Sequence, residues 1–242
     1  MKKKCLLIPG NPAVADFYLS WIKEIQDSCP NIDITYATSY ILFDRKLNYV
    51  QYDAAMQKYY EELFNAIKTE EKITLLAHSV GSYFALNLLE KYPDKVEQVI
   101  VLFPYLGFTS AKIFEFASIP YCIDRIFPLA EAVSGCKNLF KKWNKNVQYI
   151  SKLELTANLR YGFRQCTYFS KHKFVFSNLL PFKDKICFIF TENDHWCPSE
   201  TINALKPFSN SRQVNLSHDF ILDESSRLAM IDVIKPYLTK LL

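Results

Sequence analysis

Ser79 has the sequence neighbours that are typical of a catalytic nucleophile. The segment reads Ala77-His78-Ser79-Val80-Gly81, which matches a small-x-Ser-x-small pattern. A serine hydroxyl attacks a carbonyl only when a base removes its proton and a sharp turn exposes its oxygen. The G-x-S-x-G turn needs small residues on both sides of the serine, and alanine at the first of these positions adds only one methyl group. We therefore predict Ser79 as a nucleophile; the alternative is a serine that only caps the following helix.

The four histidines of the chain are the candidates for the base. Partners of such a serine follow in the chain order serine, acid, histidine. His218 comes directly after the last predicted strand, where its side chain can reach over the edge of the sheet. His78 is expected to point elsewhere on the turn, His172 lies between lysines and is expected in solvent, and His195 shares a loop with the acid candidates. We predict His218 as the base.

The loop at 191–198 contains two candidate acids, Glu192 and Asp194. The turn ends just before a predicted helix and puts Asp194 at its tip. The other position that could supply an acid, residues 103–106, has no carboxylate, and Asp219 is expected on the surface. An acid in this role holds the correct imidazole tautomer and stabilises the imidazolium that forms. We predict Asp194 for it.

Acyl transfer also needs two hydrogen-bond donors for the oxyanion of the tetrahedral intermediate. One is predicted to be the backbone N–H of Val80, directly after the nucleophile. The second is predicted from the turn after the first strand, Pro9-Gly10-Asn11-Pro12. Since proline has no N–H, we assign the Asn11 amide to this role.

The elements that would position these residues follow an α/β pattern. Short apolar runs alternate with amphipathic helical patterns, which predicts a mostly parallel sheet with helices on both faces, as in the α/β-hydrolase fold. Strands are predicted at 5–8, 32–36, 73–77, 96–103, 186–190 and 213–216. Helices are predicted over a segment with apolar positions from Val14 to Ile25, over 49–67 and over 82–91, and the last helix has an apolar stripe and a kink at Pro236. The stripe consists of Leu228, Ile231, Ile234, Leu238 and Leu241.

The alternation of strands and helices is interrupted between residues 104 and 182. This stretch is rich in Phe, Tyr and Lys and contains no convincing strand. An unstructured loop of such length is implausible in a compact domain. We therefore predict one domain over 1–242, with a helical cap at 104–182 inserted between the fourth and fifth strands.

Composition excludes several classes of protein. The charge of +4 from 29 basic and 25 acidic residues is too balanced for a nucleic-acid-binding protein. Seven irregularly spaced cysteines predict reduced thiols rather than a disulfide framework. The apolar run after Lys4 is too short for a signal peptide, and no stretch approaches the roughly 18 apolar residues of a membrane span. We expect a cytoplasmic protein that is not secreted, has no transmembrane segment and needs no metal or organic cofactor.

Five motifs of the chain occur together in one known family: Leu7-Ile8-Pro9-Gly10-Asn11-Pro12 with Asp16-Phe17-Tyr18, His78-Ser79-Val80-Gly81-Ser82-Tyr83, Leu102-Phe103-Pro104, Asp194-His195-Trp196-Cys197-Pro198 and His218-Asp219-Phe220. On these motifs the chain resembles the lipid-droplet-associated hydrolase family. The resemblance implies an α/β-hydrolase fold, a Ser-Asp-His triad, association with neutral-lipid droplets, and a sterol ester or other lipid ester as substrate. Two departures are Ala77 in place of glycine and the segment 109–112 in place of a Ser-Pro-Asn-Gly turn.

The predicted cap contains a segment that could contact lipid. Over 135–151 an apolar face and a lysine-rich face alternate with helical spacing. The apolar face contains Leu139, Phe140, Trp143, Val147 and Ile150, and the basic face contains Lys137, Lys141, Lys142 and Lys145. Such a helix is typical of a segment that lies on a lipid surface. The alternative is a lid helix that packs its apolar face on the active site.

Together these features predict a serine hydrolase that cleaves hydrophobic, lipid or sterol esters through an acyl-enzyme at lipid droplets. Two alternatives remain open at this point. The same triad suits a thioesterase or acyltransferase, because the acyl-enzyme is common to all three. The chain could also be a binding or scaffold protein of the lipid-droplet surface with weak or no hydrolase activity.

Overall fold

A computed structural model describes residues 2–10, 15–37, 49–107, 168–169, 172, 174–192, 194, 196–197, 199–208 and 210–239. Statements about structure refer to these residues. The predicted oxyanion residue Asn11 and the residues of the predicted lipid-contacting segment lie outside them. So does most of the predicted cap, so that its placement between two strands stays a prediction.

Six strands of the described residues form one sheet in the order β2-β1-β3-β4-β5-β6, and every neighbouring pair is parallel. The strands are β1 (Lys3–Ile8), β2 (Ile32–Tyr36), β3 (Ile73–His78), β4 (Val96–Leu102), β5 (Ile186–Phe190) and β6 (Arg212–Gln213). The parallel sheet confirms the predicted fold class.

The central strands are covered on both faces. All six residues of β3 are buried, and so are the last four of β4. Because successive side chains of a strand point to opposite faces, continuous burial requires packing on each side of the sheet. The uninterrupted apolar runs in the sequence therefore reflect strands in the interior of the molecule.

Helices connect the strands and pack in two groups. They are α1 (Ala15–Ser28), α2 (Tyr49–Ile67), α3 (Gly81–Lys91), α4 (Ser199–Leu205) and α5 (Glu224–Leu238), with 3-10 helices at Phe176–Lys185 and Phe220–Leu222. In one group Trp21 of α1 meets Phe220 edge-on, with ring centroids 5.2 Å apart. In the other, Tyr59 of α2 meets Phe84 of α3 at 4.8 Å. None of the described helices is both long and apolar enough to cross a membrane.

Two sequence predictions about the end of the chain need correction. The last strand is shorter and earlier than predicted: it covers Arg212–Gln213, and Val214 adds one further hydrogen bond to the carbonyl of Phe190 before the chain leaves the sheet. The predicted stripe of α5 is also wrong at Leu228, which is 45% exposed.

Helix geometry explains the error at Leu228. The buried face of α5 consists of Met230, Ile231, Ile234 and Leu238. At about 100° per residue, these four side chains span an arc of about 100°, and Leu228 lies about 60° beyond its edge. The helix contains Pro236 and ends two residues later, at Leu238.

Candidate active site

The turn after β3 holds Ser79 in an unusual backbone conformation. Its φ of 52° lies in the left-handed region, which residues other than glycine rarely adopt. The N–H of Ser79 donates to the carbonyl of Leu102 at 2.9 Å, and its own carbonyl accepts from the amide of Ser82 at 3.0 Å. These bonds hold the turn between the end of β4 and the start of α3. A strained residue fixed in this way is a frequent feature of functional sites.

The small residues of the motif are required by close contacts. A Cβ atom on Gly81 would lie 2.4 Å from the carbonyl oxygen of Ile8, so that α3 can start beside β1 only with glycine there. A Cβ atom on Gly10 would lie 2.7 Å from the Cβ of Ser79. Ala77 is fully buried, paired with Ile8 on one side and Val101 on the other. The single methyl group of alanine therefore fits where the usual motif has glycine.

The side chains of Ser79, His218 and Asp194 form one hydrogen-bonded series. Nε2 of His218 lies 2.9 Å from Oγ of Ser79, and its Nδ1 lies 2.8 Å from Oδ2 of Asp194. The other carboxylate oxygen, Oδ1, accepts from the amide of Trp196 at 2.8 Å. The three residues follow β3, β5 and β6, whose carboxyl ends meet at one edge of the sheet. The structure thus brings together the three predicted residues, while the exposed Glu192 takes no part in this series.

Asp194 is ionised in these surroundings. Its side chain has no exposed surface, whereas that of His218 is 21% exposed. Burial alone would raise the pKa of the carboxyl group. The nearby His218, the hydrogen bond from it and the amide of Trp196 outweigh burial, and the net effect lowers the pKa of Asp194. With Asp194 ionised, Nδ1 of His218 carries the hydrogen, and Nε2 is free to accept the Ser79 proton.

Aromatic rings surround the imidazole of His218. Phe103 lies 5.9 Å and Trp196 lies 6.5 Å from it, centroid to centroid. Tyr105 in turn meets Trp196 edge-on at 5.9 Å. An apolar wall of this kind excludes water and strengthens the polar interactions inside it. Phe103 and Tyr105 are fully buried, whereas Trp196 is partly exposed and gives the site an apolar surface next to His218.

His78 takes part in contacts that the sequence did not predict. Its Nδ1 lies 2.7 Å from the hydroxyl of Tyr18, and its Nε2 lies 3.1 Å from the backbone carbonyl of His218. Burial, and after it the proximity of His218, lower the pKa of His78 to about 3. The ring is therefore neutral at ordinary pH. Of the remaining histidines, His172 is exposed and stacks on Tyr168, and His195 lies outside the described residues.

One of the two predicted oxyanion donors can be placed. Val80 is the N-cap residue of α3, and its amide is therefore at the positive end of that helix. The other, Asn11, follows Gly10, whose N–H already donates to the hydroxyl of Tyr18 at 2.8 Å.

In the described part of the chain, no three His, Cys, Asp or Glu side chains are grouped as metal ligands would be.

A parallel sheet with a strained serine after its third strand, and a histidine after its last strand, defines the chain as an α/β hydrolase. Comparison with known sequences identifies the branch of this class. The sequence model described as "Lipid-droplet associated hydrolase" matches residues 1–225. The chain belongs to the lipid-droplet-associated hydrolase family.

Individual relatives carry the same name. The chain is 27% identical over 113 residues to a lipid droplet-associated hydrolase from Dictyostelium discoideum, a match that covers 42% of this chain and 37% of that protein. It is 23% identical over an alignment of 272 positions to a lipid droplet-associated hydrolase from Rattus norvegicus, which covers 94% of this chain and 82% of that protein.

Solved structures agree with the fold. A hydrolase from Oleispira antarctica has a TM-score of 0.68 at 11% identity and aligns with 100% of this chain and 92% of its own. A thermophilic esterase from Thermogutta terrifontis has a TM-score of 0.62 at 15% identity, over 98% of this chain and 90% of its own. At these identities the similarity establishes the fold, and the substrate must be argued from the site.

Proposed function

We propose that this hydrolase cleaves carboxylic esters through an acyl-enzyme, with Ser79 as nucleophile, His218 as base and Asp194 as the acid that orients the base. The contact between Oγ of Ser79 and Nε2 of His218, at 2.9 Å, carries this proposal. It is the distance at which an imidazole accepts the hydroxyl proton as the oxygen attacks. The contact of Nδ1 with Asp194 supports the same assignment, because it fixes the tautomer in which Nε2 is free.

The first half of the reaction forms the acyl-enzyme. Oγ of Ser79 attacks the ester carbonyl while its proton moves to Nε2 of His218. The resulting imidazolium is stabilised by the carboxylate of Asp194, and the oxyanion is stabilised by the amides of Val80 and Asn11. The tetrahedral intermediate then collapses, the carbon–oxygen bond to the alcohol breaks, and the alcohol leaves with the proton from Nε2.

The second half regenerates the enzyme. A water molecule gives a proton to Nε2 of His218 and attacks the acyl carbon. The bond to Oγ of Ser79 breaks, Oγ recovers the proton, and the carboxylic acid is released. No redox step or cofactor is needed for this balance.

We further propose hydrophobic esters, lipid or sterol esters among them, as substrates. The partly exposed ring of Trp196, packed against the buried Tyr105, supports this assignment, because it gives the side of the site next to His218 an apolar surface. The names of the family and of its relatives, which refer to hydrolases associated with lipid droplets, support the same substrate class.

Activity-based labelling tests the nucleophile. A fluorophosphonate probe should modify the wild-type protein at Ser79 and should not modify Ser79→Ala. Ser82→Ala is the matched control, because this serine is buried three residues away and its hydroxyl has no hydrogen-bond partner among the described residues. Labelling of Ser79→Ala at the wild-type rate would show that Ser79 is not the nucleophile. Turnover of esters and acyl-CoA thioesters with the same acyl chain then separates an esterase from a thioesterase.

We also propose that the segment at 137–145 contacts the surface of lipid droplets. Its sequence pattern and the names of the relatives support the proposal. Replacing Lys141, Lys142 and Lys145 by glutamine should reduce flotation with anionic lipid emulsions. The matched control replaces three exposed lysines elsewhere, Lys68, Lys72 and Lys206, by glutamine. Equal flotation of the two triple variants would exclude a specific role of the segment.

A further inference from the structure

A second series of hydrogen bonds, largely buried, reaches the base His218 through His78, the residue before the nucleophile. It starts at the amide of Gly10, which donates to the hydroxyl of Tyr18 at 2.8 Å. The hydroxyl contacts Nδ1 of His78 at 2.7 Å. Nε2 of His78 contacts the carbonyl oxygen of His218 at 3.1 Å. The series therefore links the loop after β1, helix α1, the turn of the nucleophile and the loop of the base.

The partners fix the direction of the two outer bonds, and the neutral state of His78 fixes the bond between them. An amide N–H can only donate, so the Tyr18 oxygen accepts from Gly10. A carbonyl can only accept, so Nε2 of His78 carries the hydrogen that reaches His218. Burial, and after it the neighbouring His218, lower the pKa of His78 to about 3, so the ring is neutral and Nδ1 has no hydrogen. Nδ1 therefore accepts from the Tyr18 hydroxyl, 2.7 Å away.

The two ends of the series lie at the two places where the proposed reaction needs precise geometry. At one end, Gly10 directly precedes Asn11, the predicted oxyanion donor. At the other end, the backbone of His218 carries the imidazole that must stay 2.9 Å from Ser79. Tyr18 is 2% and His78 is 3% exposed, so water does not compete for these bonds. Two aromatic contacts hold the ring of His78, one with Phe220 at 5.1 Å and one with Phe103 at 6.4 Å.

We propose that Tyr18 and His78 are positioning residues of the hydrolase reaction, which hold the backbones of Gly10 and His218 in register with Ser79. Neither residue transfers a proton to or from the substrate. The inference rests on the proposed function, because it assigns His218 the role of the base. It extends that function to two residues outside the Ser-His-Asp series, which position the reacting groups.

Tyr18→Phe tests the series with the smallest change. The variant keeps the ring but removes the oxygen, and leaves both the Gly10 amide and Nδ1 of His78 without their partner. We expect kcat on a soluble ester to fall about ten- to a hundredfold, the usual effect of losing a buried hydrogen bond from a reaction geometry. KM should stay within about twofold, because the binding surface is unchanged. The rate of fluorophosphonate labelling should fall by the same factor as kcat.

Tyr59→Phe is the matched control for stability. Tyr59 is also buried, at 2% exposure, and its ring packs on Phe84. It has no part in the series from Gly10 to His218. We expect this variant to keep the kcat of the wild type, and thermal melting of both variants shows whether either change disturbs the fold.

Two substitutions of His78 separate a positioning role from a merely structural one. In His78→Gln the side-chain amide N–H occupies the place of Nε2 and can still donate to the carbonyl of His218. In His78→Asn the shorter amide is near the place of Nδ1, keeps an acceptor for Tyr18 and does not reach His218. If the bond to His218 positions the base, glutamine rescues kcat relative to asparagine by about tenfold at similar thermal stability.

The outcomes distinguish this inference from the function on which it rests. If the wild-type protein is not labelled at Ser79, the proposed function is wrong. If the wild type is labelled, and Tyr18→Phe reacts as fast as Tyr59→Phe, the positioning role is wrong and the proposed function stands. Equal kcat values for His78→Gln and His78→Asn would likewise overturn it. A variant of His78 that does not fold leaves the comparison of Tyr18→Phe with Tyr59→Phe to decide.

Discussion

The site has two carboxylic acids within one short loop, and the structure distinguishes between them. Asp194 is buried and accepts hydrogen bonds from Nδ1 of His218 and from the amide of Trp196, whereas Glu192 is exposed. The sequence could predict this choice because the turn before α4 puts residue 194, and not residue 192, at its tip. It could not predict that the Trp196 amide holds the second carboxylate oxygen.

The roles of the two acids are therefore open to a direct test. Asp194→Asn should lower kcat by about four orders of magnitude, because an amide stabilises the wrong imidazole tautomer and does not stabilise the imidazolium. Glu192→Gln, the control with the same chemical change, should keep the kcat of the wild type. Steady-state turnover of a soluble ester measures both. A larger loss in the glutamine variant would reverse the assignment.

The lowered pKa of Asp194 has a consequence for acid stability. A carboxyl group whose pKa is lower in the folded than in the unfolded protein stabilises the fold above its unfolded pKa, near 3.8. This contribution is lost as the pH falls through the lower, folded pKa. The difference in melting temperature between wild type and Asp194→Asn should therefore shrink below about pH 3.8. A difference in melting temperature that stays constant with pH would show that the pKa of Asp194 is the same in the folded and the unfolded protein.

The hydrogen bonds that join Tyr18, His78 and His218 could not be predicted from the sequence. Sixty residues separate Tyr18 from His78, and 140 separate His78 from His218. A tyrosine in an amphipathic helix and a histidine beside the nucleophile each fit an ordinary core position. Only the distances between their polar atoms reveal that they act together.

At the level of secondary structure, the sequence predicted five strands to within two residues, the edge strand β2 included, and was wrong for the short strand β6. The runs of β1, β3 and β5 were predicted within two residues of the observed strands because interior strands are apolar on both faces. β6 lies at the edge of the sheet with two exposed residues, and its alternating pattern extended the prediction to residue 216. The order of the strands depends on how connections cross the sheet, and no residue pattern specifies it.

One ion pair joins the first and last helices of the described chain. The guanidinium of Arg227 in α5 contacts both carboxylate oxygens of Glu24 in α1 through Nε, at 3.2 and 3.0 Å, and one of them through a terminal nitrogen at 2.7 Å. Its other terminal nitrogen donates to the carbonyl of Ile221, at 3.3 Å, in the turn that follows the base. This planar arrangement links the two helices to the His218 loop.

We expect Arg227→Lys to lower the free energy of unfolding by about 1–2 kcal/mol, since an ammonium cannot reproduce the bidentate geometry. Denaturant unfolding of this variant, of Glu24→Gln and of the double variant measures the coupling between the two residues. The double variant should lose less than the sum of the single changes. Additive losses would mean that the pair does not contribute as a unit.

In the described part of the molecule, four cysteines are packed as core residues. Cys5, Cys29, Cys187 and Cys197 are buried and unpaired, which agrees with the predicted absence of a disulfide framework for these four. Burial raises the pKa of the Cys5 and Cys187 thiols to about 12. Since the thiolate is the reactive form, these groups are unreactive in the folded protein.

Alkylation can therefore report on the integrity of the core. Under native conditions a maleimide should leave Cys5 and Cys187 unmodified, and both should react once denaturant unfolds the sheet. Peptide-resolved mass spectrometry measures each site separately and needs no assumption about the other cysteines. Fast native labelling of Cys187 would contradict the burial of β5.

The wide separation of Ser79 and His218, 139 residues along the chain, also matters while the protein is being made. A nascent chain on the ribosome exposes its hydroxyl long before the imidazole has been synthesised, and a lone serine hydroxyl has little reactivity towards esters. Hydrolysis can begin only after β3, β5 and β6 have assembled side by side. With the proposed mechanism, growing and truncated chains therefore lack ester-cleaving activity, and reactivity towards the probe reports that these strands have assembled.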